Sequence, residues 1–323
     1  MCGERGQSFY ERTGFCSNPG DATKIMENCL KVVKSLPSDP VRLLQKHYLV
    51  VANAHKFGAT STVDIEAIPK DLFDLVMVDE AHHYPAHTWK RIIDHFKVGC
   101  KKVFFTATPY HRGKNIVGKS MEEQLSRYTA YQLLREDAVA AGTLRPLEFR
   151  EVGNKKDNDD EVTRITLVVN KISSILMEHD KIDTSFKHQA MILCGLVSEV
   201  DTVVSEINKM FQPEIAAVAF HGQTSNDGFD YFRHKKGSTY LVVCGKAREG
   251  FDHNEVSVVG ILRSVSSSVL FSQFVGRSVR RRRSNDTVTA IVVSHAYHNQ
   301  RKNFEQMDEL VESDPIDDED DDK

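Results

Sequence analysis

Apolar residues along this chain gather in short runs, and most of the stretches between the runs repeat with the period of an amphipathic helix. Strands alternating with helices imply parallel sheets covered on both faces. Ala22 to Leu36 places Ile25, Met26, Leu30, Val32 and Val33 partly on one helical face, and Tyr48 to His55 reads as a buried strand followed by a polar turn. Leu72 to Asp79 predicts another strand, followed by a helix through Trp89 to Phe96, a strand Lys102 to Thr106, and a helix Met121 to Ala141 ending at Gly142. Beyond a charged loop, Asn154 to Glu161, the alternation becomes regular. Helices are predicted at Thr163–Met177, Val197–Phe211, near Asp230 and at Ser268–Val279. Strands are predicted at Ala190–Cys194, Ile215–Phe220, Tyr240–Cys244, Val256–Leu262 and Val288–Ser294. That set predicts one complete parallel-sheet domain in the C-terminal part, followed by a polar helix after Asn299.

At 323 residues and 40% hydrophobic content, the chain has room for two domains with real cores. The net charge of −4 divides unevenly, because seven acidic residues and one lysine lie between Asp314 and Lys323 and leave a mildly basic body. A local basic track is enough for nucleic acid, so overall charge decides little. Six cysteines without a C-x-x-C pair argue against a zinc site or a disulfide framework. Neither a signal peptide nor a membrane-length apolar run is visible, so an intracellular protein, cytoplasmic or nuclear and without membrane partners, is expected.

Asp79 and Glu80 close one predicted strand. Open α/β sheets bind ligands beyond the C-terminal ends of their strands. One carboxylate there can hold Mg2+, which takes one or two protein ligands and keeps most of its waters, while the neighbour polarises a water. An acidic strand end that caps a helix gives the same letters, so the pair alone leaves both readings open. His82, His83 and His87 do not share one helical face, which argues against a three-histidine metal site. Gln273, Gly276, Arg277 and Arg280 recur at i, i+3, i+4 and i+7, one face of the predicted helix. A solvated basic helix is the alternative, and it is the preferred reading for Arg281 to Arg283.

The strings Asp79-Glu80-Ala81-His82, Thr106-Ala107-Thr108, Glu249-Gly250-Phe251-Asp252 and Gln273-Phe274-Val275-Gly276-Arg277-Ser278-Val279-Arg280 stand in a telling order. They resemble motifs II, III, V and VI of a superfamily two helicase. Their flanks resemble most closely the helicase-like (Res) subunits of type I and type III restriction enzymes, from about Leu49 to about Ser294. The resemblance implies an α/β fold of two tandem RecA-like parallel-sheet domains. Residues 1–145 would be a partial ATP-binding domain and 146–298 the second domain, entered at Leu144-Arg145-Pro146-Leu147, with 299–323 a polar helix and acidic tail. It implies an ATP-dependent helicase or translocase with ATP and Mg2+ as cofactors, acting on DNA in preference to RNA, with a nuclease or other subunit as a candidate partner.

By the same resemblance Asp79 would hold Mg2+, Glu80 would act on water, and Arg277 and Arg280 would meet the phosphates. His82, Gln273, Gly276, Gly250 and Asp252 would line or couple to the nucleotide, and Thr106, Ala107 and Thr108 would carry the coupling onward. Asn53, His55, His221, Gly222 and Cys244 would face nucleic acid, although Cys244 stands where most relatives have threonine.

Gly113-Lys114-Asn115-Ile116-Val117-Gly118-Lys119-Ser120 matches G-x-x-x-x-G-K-[ST] letter by letter. A phosphate loop leaves its strand directly and opens a helix. Here Pro109 to Arg112 intervene, and the resemblance places the family's loop upstream of Asp79, so the match reads as coincidental. Nothing N-terminal of Asp79 supplies G-K-[ST]. The first domain is therefore expected to be truncated at its N-terminus, with slow or absent ATP turnover, because that loop's lysine and hydroxyl normally hold the phosphates and Mg2+. Two alternatives stand beside the motor: a hydrolysis-deficient nucleic-acid-binding fragment or partial subunit, and a hydrolase built on Gly113 to Ser120.

Overall fold

The computed structural model describes residues 30–32, 41–45, 47, 49–57, 64–84, 86–96, 99–108, 110–111, 114–115, 131–211, 216–225, 227–234, 238–245, 253–283 and 285–307. Described residues through His111 belong to one compact unit, and those from Tyr131 to a second.

In the first unit, Leu30–Val32 (β1) pairs in parallel with Leu49–Val51 (β2), and Leu75–Val78 (β3) with Lys101–Phe104 (β4). The helical face expected over Ala22 to Leu36 is thus a strand where it is described. Its backbone pairing with β2 overrides a marginal helical period. Helix α1 spans Val41–Leu44 and α2 spans His87–His95. Val78 of β3 packs with Ala81 and Ile93 of α2, while Leu44, Phe57, Ile65, Ile68 and Phe96 form an adjacent cluster against Val50 and Val76. These partners all lie on one side of the strands. Side chains alternate across a strand, so Leu75 and Met77, like Leu49, Val51, Val103 and Phe105, are exposed. The buried strands expected at Tyr48 to His55 and Leu72 to Asp79 are therefore covered on one face only among the described residues. Two short strands, Tyr110–His111 (β5) and Lys114–Asn115 (β6), pair with each other.

The second unit begins with the short helix Arg135–Ala140 (α3), and Tyr131 to Leu134 are exposed and non-helical; the rest of the predicted helix, 121–130, lies outside the described residues. Six strands follow: Leu147–Val152 (β7), Gln189–Leu193 (β8), Ala217–His221 (β9), Tyr240–Cys244 (β10), Val256–Ile261 (β11) and Ala290–His295 (β12). All pair in parallel in the order β7-β12-β11-β8-β10-β9. Glu161–Ile182 (α4) and Val197–Met210 (α5) bury Ile165, Val168, Ile172, Val200, Val203 and Ile207 against one face. The other face is covered by Phe232 of Asp227–Arg233 (α6), by Leu270, Phe271, Phe274 and Val275 of Ser268–Val275 (α7), and by Phe304 of Arg301–Glu305 (α8). Burial on both faces explains why β8, β11 and β12 read as continuous apolar runs. Local signals set the helix starts: Asp160 accepts from Thr163 N at 2.7 Å, and Ser267 accepts from Leu270 N at 3.2 Å. Among the described residues, no helix is long and apolar enough to cross a membrane.

Candidate functional site

Asp79 and Glu80 directly follow β3, and the chain turns there because Glu80 adopts a left-handed backbone with φ 50° and ψ 48°. Glutamate rarely takes this conformation, which costs on the order of 1–2 kcal/mol. The turn is held by Ala81 N donating to Phe105 O at 2.9 Å and by Phe105 N donating to Val78 O at 2.8 Å. Asp79 is exposed and accepts from Glu80 N at 3.0 Å. His82 is buried in the following 3-10 turn, with Nδ1 3.3 Å from Thr106 Oγ1 and 3.6 Å from Glu80 Oε2. Thr106 Oγ1 in turn donates to Thr108 O at 3.1 Å and accepts from Thr108 N at 3.1 Å. One strand end thereby brings together Glu80, His82, Thr106 and Thr108, with Asp79 beside them and Ala107 exposed in the same turn.

This edge suits a hydrated hard cation with a phosphate. Its donors are carboxylate oxygens, and no cluster of three or more His, Cys, Asp or Glu side chains that could hold a metal by themselves occurs among the described residues. Thr108 Oγ1 is a buried hydroxyl with no hydrogen-bond partner among the described residues, the kind of group that a ligand or water satisfies. Asn53 is exposed between β2 and the 3-10 turn Ala54–Phe57, in which His55 lies. Of the phosphate-loop look-alike, Lys114 and Asn115 form β6, and the other residues of Gly113 to Ser120 lie outside the described residues.

In the second unit, Gln273 lies on α7, which stops at Val275, four residues earlier than predicted. Gly276 caps it, and Arg277 N and Ser278 N continue with bonds to Phe274 O and Val275 O at 3.1 and 3.0 Å. Arg280 has left the helix and forms an isolated antiparallel bridge with Leu144. The helical face expected from Gln273 through Arg280 therefore ends at Arg277. Tertiary pairing is the cause: Arg145 N donates to Val279 O at 2.7 Å, and the Arg145 side chain donates to Ser278 O at 2.8 Å. These bonds draw residues 278–280 alongside Leu144 and Arg145 in extended pairing, which a helix running on through Val279 would not allow. Arg277 is 6% exposed and Arg280 half-buried.

His221 and Cys244 are register partners at the C-terminal ends of β9 and β10. His221 Nδ1 accepts from Gln223 N at 3.3 Å and its own N donates to Thr224 Oγ1 at 2.9 Å, so this histidine builds the turn in which Gly222 is exposed. The Cys244 thiol donates to Gly195 O at 3.3 Å. Gly250 and Asp252 lie outside the described residues.

Sequence reasoning did not single out Arg145 or Asp286, whose side chains are both fully buried and meet at 2.6 Å. Arg145 fills all five of its N–H donors. Nε and Nη2 reach Asp286 Oδ2 at 3.0 and 2.6 Å, Nη1 reaches Val256 O and Ser278 O at 2.6 and 2.8 Å, and Nη2 reaches Asn254 O at 2.9 Å.

Parallel sheets in both units, with helices packed on the six-stranded sheet, make this an α/β protein with a RecA-like fold. The family model described as "Type III restriction enzyme, res subunit" matches residues 11–111. A curated protein of Saccharomyces cerevisiae described as "Putative ATP-dependent helicase IRC3" is 22% identical over 231 residues, which cover 66% of this chain and 33% of that protein. The chain thus spans about a third of that relative. Among solved structures, a fragment of a "putative HsdR subunit of a type I restriction enzyme" from Vibrio vulnificus YJ016 superposes with a TM-score of 0.60 at 15% identity, covering 92% of this chain and 55% of that one. The helicase MrfA, bound to DNA and AMPPNP, superposes with a TM-score of 0.56 at 13% identity over 91% of this chain and 43% of its own. Residues 11–111 are thus similar to the res subunit of type III restriction enzymes, and the likeness to the solved structures is one of fold.

Proposed function

We propose that this chain is part of an ATP-dependent motor that moves along or separates nucleic acid, DNA in the first instance. The observation that carries this reading is the strand-end cluster in which His82 joins Glu80 to Thr106. Asp79 would hold Mg2+, which supplies charge neutralisation to the phosphates when bound. Glu80 would accept a proton from the attacking water. Arg277 and Arg280 would donate to phosphate oxygens, an effect worth about 10³- to 10⁵-fold in related phosphoryl transfers. His82, Thr106 and Thr108 would pass the state of the nucleotide to the nucleic-acid contacts, for which Asn53, His55, His221, Gly222 and Cys244 are the candidates. Gln273, Gly276, Gly250 and Asp252 complete the proposed nucleotide surroundings. A cytoplasmic or nuclear setting and a nuclease or other subunit as partner accompany this reading.

A second reading rests on the absence of G-K-[ST] N-terminal to Asp79 within these 323 residues. It makes the chain a nucleic-acid-binding module that does not hydrolyse ATP by itself. Nucleic-acid-stimulated ATP hydrolysis decides between the two, measured with DNA and RNA strands side by side on the chain and on Glu80→Gln and Lys119→Ala variants. The motor reading requires turnover that Glu80→Gln abolishes and Lys119→Ala leaves intact. Loss with both variants transfers the phosphates to Gly113 to Ser120, and binding without turnover establishes the second reading.

A further inference from the structure

We propose that Arg145 and Asp286 form a positioning pair for Arg277 and Arg280, setting where the arginine segment runs after α7. The proposal rests on the phosphate role given to those two arginines above. Its evidence is the way the five bonds of Arg145 are distributed. Two go to Asp286, and three go to the backbone carbonyls of Asn254, Val256 and Ser278, that is, to the segment entering β11 and to the turn leaving α7. The backbone around Arg145 repeats the pattern: its N–H takes Val279 O at 2.7 Å, Leu144 bridges Arg280, and Leu144 O accepts from Arg281 Nε at 3.0 Å. Asp286 closes the other end by accepting from Arg282 N and Val288 N, both at 3.3 Å. Residues 277–283 are thus tied down on both sides of Arg280 by one buried guanidinium and one buried carboxylate.

A global stabiliser could look similar, but two physical points favour positioning. A buried ion pair is often no more stabilising than an apolar pair of the same size, because desolvation offsets the attraction. It does discriminate between arrangements, since any displacement of the segment strands a charge or a carbonyl without a partner. The captured carbonyls, Ser278 O and Val279 O, belong to the two residues that directly precede Arg280, which itself bridges Leu144. The pair therefore sets the point at which Arg280 leaves the helical path.

The test uses the full chain and two variants, Arg145→Met/Asp286→Asn, which removes both charges together, and Arg145→Lys, which keeps the ion pair but has too few donors for all five bonds. Amide hydrogen exchange is compared between residues 277–283 and residues 165–176 of α4, with thermal melting and ATP hydrolysis kinetics in parallel. The proposal expects both variants to melt cooperatively, exchange at 277–283 to quicken by about tenfold or more, and exchange at 165–176 to stay unchanged. It also expects kcat to fall by about tenfold in the double variant, with KM little changed and partial recovery in Arg145→Lys. Unchanged exchange at 277–283, equal acceleration in both segments, or failure of both variants to fold would each overturn it. If the unmodified chain shows no turnover, that result counts against the motor reading alone, and the exchange comparison still decides whether the pair positions the segment.

Discussion

His82 Nδ1 stands 3.3 Å from Thr106 Oγ1, and the single hydroxyl proton of Thr106 points at Thr108 O, 3.1 Å away. With the Thr106 hydroxyl donating to Thr108 O, the contact is satisfied by the tautomer that carries its proton on Nδ1, and the Glu80 carboxylate lies 3.6 Å from the same nitrogen. A double-mutant cycle with His82→Phe and Thr106→Val, followed by chemical denaturation of the first unit, should show a coupling of about 1 kcal/mol. The singles should bind nucleotide but lose stimulation by nucleic acid. Strictly additive effects would mean that the contact transmits nothing.

Glu80 holds φ at 50°, a region where glycine sits without strain. Glu80→Gly should leave the first unit equally or more stable, by up to about 1 kcal/mol after the added chain entropy of glycine is counted. It should at the same time remove the proposed catalytic carboxylate. Glu80→Gln, which keeps the side-chain volume, should show no such stabilisation. The comparison is a pair of urea titrations, and a clear loss of stability on introducing glycine would show that the surroundings of Glu80 compensate its strain.

Gly153 has φ 67°, and a Cβ placed there would lie 1.9 Å from His295 Nε2. That nitrogen is also 3.1 Å from Asp159 Oδ2, inside a fully buried side chain, so it has no room to retreat without breaking a hydrogen bond. Gly153→Ala should destabilise the second unit by about 2–4 kcal/mol. Gly222→Ala, where nothing lies within 4 Å of the added carbon, should be close to neutral in the same denaturation assay.

Burial holds His179 at about 4 against an ordinary 6.5, with His188 and Arg145 lowering it further and Asp286 and Asp180 opposing them. His298 is likewise held at about 4, first by burial and then by Arg164 and His295, with Glu199 acting the other way. Both imidazoles stay neutral in the folded chain while the unfolded chain takes up protons below about 6.5. The second unit should therefore have its full stability above that pH and lose on the order of 1–3 kcal/mol per histidine as the pH falls toward 4. Urea midpoints between about pH 7.5 and about pH 5 check this, and His179→Gln should flatten the decline.

Strands β8, β10, β11 and β12 were legible because burial on both faces writes them as nearly continuous apolar runs. Strand β7 was not, since it lies at the sheet edge and mixes Glu148, Arg150 and Glu151 among its apolar residues. The end of α7 was misplaced because the i, i+3, i+4, i+7 spacing of Gln273, Gly276, Arg277 and Arg280 outweighed the stop signal of Gly276, and the pairing of Arg145 with Val279 O beyond it is not visible in the letters. The same division holds in the candidate site. Asp79, Glu80 and His82 fall within four consecutive residues and are readable by their order with Thr106, whereas the left-handed turn at Glu80 and the Arg145–Asp286 pair depend on partners distant in sequence or on backbone geometry that letters do not show.

Arg145 and Asp286 are 141 residues apart, and at ordinary rates of translation the arginine is made on the order of 10 s before its partner. Throughout that interval β7 lacks its neighbour β12, the only strand it pairs with in the six-stranded sheet. On the ribosome, the guanidinium must stay hydrated until the carboxylate emerges, because entering the interior alone would leave an uncompensated charge. A nascent chain halted before Asp286 therefore carries an unfinished sheet with the β11 edge open, and the second unit locks into shape only as the last of its strands is synthesised.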